Sequence, residues 1–204
     1  MKKIYITLLL LSFILSTAAK ETTNSIQARK LFEKTYQMVF GPQGSSLHYN
    51  VNIIGIYKTQ GDIIYKGNKS KFEESRYASW NDGHSFYKVD KKKKTVEIYD
   101  PNAPDRDKYA SKFTFVPDNY TYSLSANQTE YTLTINAKKG VDGIKHVKAV
   151  IDKKSGAPKS LRIKLFWFWT TVKISNFHSG NINDHLFVFP KSRFKGYQLT
   201  DKRG

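Results

Sequence analysis

Apolar residues fall at helical spacing in one stretch near the start of the chain. Ala28, Leu31, Phe32, Thr35, Met38 and Val39 share one face of an α-helix. Asn24 or Ser25 supplies a capping oxygen, and Gly41-Pro42 stops the helix. A single amphipathic helix has to lay its apolar stripe on something, most simply a sheet.

From Leu47 the period changes to two. Leu47 to Ile53 alternates apolar with polar, and Gln60-Gly61 and Gly67-Asn68 punctuate the next strands, with Ile63 and Tyr65 between them. Asn81-Asp82-Gly83 predicts a hairpin, and a lysine-rich turn from Asp90 to Lys94 separates strands at His84–Val89 and Thr95–Tyr99. Asn119–Ala126 and Glu130–Ala137 predict another hairpin around Asn127-Gln128. Ile144–Asp152 leads through a polar turn into one long strand from Leu161 to Phe177. Short strands at this spacing describe one antiparallel sheet or barrel. Asp100 to Lys112, with Pro101 and Pro104, reads as a surface excursion.

The first residues have a different character. Lys2 and Lys3 precede an apolar run from Ile4 to Leu15 and the small residues Ser16 to Ala19. This is the layout of a secretory signal, with cleavage expected near Ala19 and residues 20–204 forming one folded domain. The apolar run is too short to span a bilayer comfortably. With no cysteine in the chain, disulfides, thiolate metal sites and thiol nucleophiles are excluded. Lysine and arginine number 34 against 17 acids, a net charge of +17 that predicts attraction to anionic surfaces.

Chemistry-bearing motifs are sparse. The five histidines, His48, His84, His146, His178 and His185, show no metal-ligand spacing, and no nucleophile elbow, phosphate loop or dinucleotide fingerprint occurs. The expectation is no catalysis, no metal and no cofactor. Leu161, Ile163, Leu165, Trp167 and Trp169 would share one face of the long strand, with Arg162 and Lys164 opposite. This segment reads either as a strand buried on both faces or as an aromatic wall of a cavity for an apolar ligand. Lys91, Lys92, Lys93 and Lys94 read either as a solvated turn or as a contact to an anionic surface.

Several blocks, in order, resemble the periplasmic outer-membrane lipoprotein carrier (LolA) family. They are Gly61 to Lys66 followed by Lys71-Phe72, Asn81 to Val89, Tyr131 to Ile135 with Ala137-Lys138-Lys139, and Ile174 to Ser179. The last is Phe187-Val188-Phe189-Pro190 with Gly196, Tyr197 and Asp201. The chain departs from the family where Gly67 follows Lys66, the place of a lid-holding arginine.

The resemblance implies an α+β, mostly β fold: an incomplete antiparallel half-barrel covered by helices on its concave face. It implies a periplasmic carrier of lipoprotein acyl chains or lipids. Its partners would be acylated lipoproteins, an inner-membrane release complex and an outer-membrane acceptor, with the carrier a monomer and no role for nucleic acid. The candidate cavity residues are Val51, Ile53, Ile63, Tyr65, Phe72, Phe86, Tyr122, Leu133, Ile135, Leu165, Trp167 and Trp169. A register slip of one residue would exchange their face for the other. The alternative is a non-enzymatic envelope protein that binds an anionic lipid or polyanion through Lys91 to Lys94.

Overall fold

The computed structural model describes residues 22–53, 57–103, 106, 116–165 and 167–203. The expected signal at residues 1–19 lies outside them, as does most of the excursion from Asp100 to Lys112.

The helix, α1, spans Thr23–Phe40. Its cap is Thr22 rather than Asn24 or Ser25: Thr22 is extended, and its hydroxyl accepts from the Ser25 amide at 3.1 Å. Asn24 has another task. Its side chain donates to the Leu124 carbonyl at 2.8 Å and accepts from the Leu124 amide at 2.9 Å, which ties the helix to a strand edge. At the far end the Gly41 amide donates to the Gln37 carbonyl, as the Gly41-Pro42 stop requires.

The strands are β1 (Ser45–Ile53), β2 (Tyr57–Lys66), β3 (Lys69–Glu74), β4 (Tyr77–Asn81), β5 (Phe86–Asp90) and β6 (Thr95–Tyr99). They continue with β7 (Tyr120–Ala126), β8 (Glu130–Ala137), β9 (His146–Asp152), β10 (Pro158–Leu165), β11 (Phe168–Ser179) and β12 (Gln198–Asp201). All join one twelve-stranded sheet in the order β12-β6-β5-β4-β3-β2-β1-β11-β10-β9-β8-β7. Neighbours are antiparallel except β12, which runs parallel to β6. Among the described residues β7 and β12 remain edges, so the sheet is open.

Two expectations need correction. Gln60-Gly61 does not end a strand; β2 runs through it. A Cβ at Gly61 would stand 2.5 Å from the Glu73 carbonyl oxygen and 3.1 Å from the Tyr49 ring, so this glycine permits close approach rather than a turn. The long strand from Leu161 to Phe177 is in fact a hairpin: the chain reverses between Leu165 and Phe168, which face each other in register. Leu161 and Ile163 pair with Val172 and Thr170 on one face, and Trp169, opposite Lys164, falls on the other. Trp169 therefore does not share a face with Leu161 and Ile163.

The register sorts the side chains into two faces. One row runs Thr59, Val51, Val172, Leu161, Ala149, Leu133, Leu124 across seven strands. The next runs Thr170, Ile163, Val147, Ile135, Tyr122. On this apolar face α1 packs, with Ala28 buried against Tyr122, Leu133, Ile135 and Ile151. The opposite face is mostly polar over β7 to β11, β1 and β2, with Thr134, Lys148, Arg162 and Thr171 in one row and Thr132, Val150, Ser160 and Lys173 in the next. Over β4 to β6 it turns apolar again, and the C-terminal segment covers it. Phe189 stacks on Tyr87 at 4.3 Å and meets Trp80 edge-on at 5.6 Å, leaving Trp80 only 1% exposed.

Candidate functional site

On the helix-bearing face α1 crosses from β7 to β2, and one flank of it forms an aromatic ladder. Tyr122 meets Phe32 at 5.4 Å between ring centres, Phe32 meets Tyr36 at 5.8 Å, Tyr36 meets Phe40 at 4.8 Å, and Phe40 meets Tyr65 at 4.7 Å. Tyr36 and Phe40 remain exposed on a helix that is otherwise docked. Sequence reasoning placed Phe32 on the docking stripe and passed over Tyr36 and Phe40. Their signal was present: 32, 36 and 40 are each four apart, so they line one helix edge.

Beyond the ladder no helix among the described residues lies over the face, and the Arg106 guanidinium stands 5.4 Å from the Phe86 ring centre. Leu47, Ile63, Phe72 and Ser79 form one row, and Tyr65, Ser70, Asn81, Phe86 and Tyr99 the next. Tyr49 stacks on Phe72 at 5.9 Å and its hydroxyl donates to Glu74 at 3.1 Å. Thr59 also donates to Glu74. Glu74 is thus a buried carboxylate held by hydroxyls at the margin of an apolar surface.

The sequence candidates divide into groups. Val51, Ile63, Tyr65, Phe72 and Phe86 lie on the helix-bearing face, half-buried. Tyr122, Leu133 and Ile135 share that face but sit beneath α1 as core. Ile53 and Leu165 belong to strands, and their side chains lie outside the described ones. Trp167 stands in the β10–β11 turn, 84% exposed. Trp169 lies on the polar face between Lys148 and Arg162, whose charges stand 5.6 and 5.4 Å from its ring centre.

The lysine run is also divided. Lys91 is half-buried, donates to the Glu74 carbonyl at 2.6 Å and lies 3.5 Å from Glu73. Lys92, Lys93 and Lys94 are exposed, and the Asp90 carboxylate accepts from the Lys92 and Lys93 amides to shape the turn. Lys66 holds the segment after β11: it donates to the Ile182 carbonyl at 2.9 Å and pairs with Asp184 at 3.1 Å.

Electrostatics follow burial. Burial pushes the Tyr65 and Tyr120 hydroxyls up, and it pushes Tyr122 up to about 12 against the opposing pull of Arg29. Desolvation also pushes Glu73 up, but the hydrogen bond from Arg193 and the charges of Arg193, Lys71 and Lys91 outweigh it and hold the carboxyl below its ordinary value. Among the described residues no group of three His, Asp or Glu side chains could hold a metal ion. The polar face carries two open recesses. One, of about 770 Å³, is lined by His48, Asp62, Gln60 and Glu73 among others. The other, of about 420 Å³, is lined by Asn50, Asn52, Lys58, Thr171 and Lys173. Polar and charged side chains line both.

No family model matches this chain, and no curated protein matches it. Solved structures do. An uncharacterised conserved protein from Thermus thermophilus is similar at TM-score 0.58 and 9% identity, over 86% of this chain and 99% of that one. A LolA superfamily protein from Nitrosomonas europaea is similar at TM-score 0.40 and 9% identity, over 80% of this chain and 98% of that one. A domain named for outer-membrane lipoprotein sorting, from Vibrio parahaemolyticus, is similar at TM-score 0.41 and 10% identity, over 84% and 100%. The first of these is close enough to show a shared fold.

Proposed function

We propose that the protein is a non-enzymatic carrier of acyl chains, which lie on the helix-bearing face between α1 and strands β1 to β3. The observation that carries this reading is the set of apolar side chains that continues past the helix, Leu47, Ile63 and Phe72 in one row and Tyr65 and Phe86, with Ser70 and Asn81 between them, in the next. Val51, Ile63, Tyr65, Phe72 and Phe86 are only half-buried, and the aromatic flank of α1 rises beside them. A surface of this kind is costly to leave in water and cheap to cover with hydrocarbon, at about 0.8 kcal/mol per buried methylene. Aromatic rings supply large rigid area without directional demands, which suits a ligand that has to be released.

The ordered sequence blocks that resemble lipoprotein carriers support the same reading. On it the cargo is an acylated lipoprotein or a lipid, residues 20–204 are the exported domain, and the place of work is the periplasm. Partners of the carrier cycle would be a release complex at the inner membrane and an acceptor at the outer membrane. The chain lies first against Val51, Ile63, Tyr65, Phe72 and Phe86; it reaches Tyr122, Leu133 and Ile135 only if α1 lifts from the sheet.

The test is organic extraction of protein purified gently from its own cells, followed by mass spectrometry. Acyl lipid or acylated protein in near-stoichiometric amount is expected. Extracts equal to those of an unrelated exported protein would contradict the proposal.

A further inference from the structure

The polar face has a second feature that acyl binding does not use. At its β10–β11 end it is basic and aromatic. Lys164 faces Trp169 across the hairpin, Arg162 stands between Lys148 and Thr171, and Lys173 lies two residues further along β11. Lys58 joins them from β2 and lines the recess of about 420 Å³ together with Lys173. Among the described residues Lys58, Lys148, Arg162, Lys164 and Lys173 form no salt bridge, whereas Lys66, Lys71, Lys91, Lys159 and Lys202 each pair with a carboxylate. The acids of this face stand beyond Lys173 as seen from the hairpin tip: Asp62, which pairs with His48 at 2.9 Å, Glu73 opposite it in register, and the facing Glu130 and Asp152; Lys58 also lines the larger recess with Asp62 and Glu73. At the tip itself Trp167 is 84% exposed.

We infer that this end of the polar face is a docking surface for anionic phospholipid bilayers, with Trp167 entering the interface and the five cations meeting the head groups. The chemistry is matched on both counts. A tryptophan at a hairpin tip has an apolar body and a polar N–H, the combination that settles at the boundary of water and hydrocarbon. Cations with no carboxylate partner among the described residues break no ion pair when they meet lipid phosphate, although Lys148 and Arg162 also lie over the Trp169 ring, and each adds attraction that salt weakens. The tilt that brings the tip down also brings the Lys58 and Lys173 recess towards the head groups. The turn lysines Lys92 to Lys94 belong to another hairpin, between β5 and β6, and are not needed.

The inference stands apart from acyl binding on the opposite face. A protein that takes an acyl probe yet ignores vesicles would refute docking and leave the carrier reading untouched. The experiment is co-sedimentation of the full chain with phosphatidylcholine vesicles, with and without equimolar phosphatidylglycerol. Binding to the anionic vesicles is expected, with a fall of more than about tenfold in the variant K58Q/R162Q/K164Q/K173Q. K92Q/K93Q/K94Q should change it by less than about threefold on the same scale. Every variant keeps the N-terminal apolar run, so the chains compared differ only at the substituted side chains. A second readout needs no cationic variant: brominated phosphatidylglycerol should quench tryptophan emission in the parent chain and quench it far less in Trp167→Phe. A quadruple variant that binds like its parent would overturn the proposal. So would equal binding to neutral vesicles, quenching unchanged in Trp167→Phe, or tighter binding of a single-stranded oligonucleotide than of any vesicle.

Discussion

Thr170 shows what a single side chain costs in this fold. It lies in an apolar row between β10 and β11, is 4% exposed, and its hydroxyl has no hydrogen-bond partner among the described residues. A buried hydroxyl left unpaired costs about 1–3 kcal/mol, and valine has nearly the same shape without the cost. Thr170→Val should therefore raise the unfolding free energy by about 1 kcal/mol in urea titration, with the slope unchanged. A loss of stability would show that the hydroxyl has a partner. Gly61 is the opposite case, a residue whose lack of a side chain is the point. Its role could not be read from the sequence, because a glycine between polar residues signals a turn far more often than a close strand crossing.

Individual elements were legible where their signal is local. The stripe of α1, the pair Tyr120–Ala126 and Glu130–Ala137, and the strand Thr95–Tyr99 all follow from periodicity and turn residues. The β10–β11 hairpin was not legible. Its turn falls within Leu165-Phe166-Trp167-Phe168, which contains no glycine, proline or asparagine, so an unbroken apolar run disguised a reversal of the chain. That error moved Trp169 to the wrong face.

Strand β7 carries a prediction of its own. It is a sheet edge, pinned by Asn24 and packed by Phe32, and burial raises the pKa of both Tyr120 and Tyr122. A tyrosine whose folded pKa exceeds its unfolded value of 10.0 adds stability that is complete below that value. This stability is lost as pH rises through the folded value, about 12 for Tyr122. Thermal unfolding should be insensitive to these groups up to about pH 10 and should weaken from there to about pH 12, in step with tyrosinate absorbance. Tyrosine titration completed at the ordinary value before any loss of stability would contradict the packing described for β7.

At the scale of the molecule, one sheet separates two chemistries. The face that carries α1 is mostly apolar from β7 to β3 and turns polar over β4 to β6, while the face behind it is mostly polar and basic from β7 to β2 and apolar over β4 to β6, where the C-terminal aromatics seal it. The sequence announced the excess of positive charge and the abundance of aromatics without saying which face either would occupy. Parity within a strand is readable, but the relation between strands is set by register and by where hairpins turn. The half-buried candidates Val51, Ile63, Phe72 and Phe86 lie on one face of four strands, with Ile63 and Phe72 adjacent, and only the register brings them to one side.

The central claim is that acyl chains lie on that side. Nuclear magnetic resonance of the isotopically labelled protein with a nitroxide-bearing fatty acid tests it most directly, because broadening reports distance from the bound chain. The expected result is broadening confined to Val51, Ile63, Tyr65, Phe72 and Phe86 and to Tyr36 and Phe40 on the flank of α1, and reversed by unlabelled fatty acid. Broadening centred on Lys58, Arg162 and Lys173, or none at saturating probe, would contradict it.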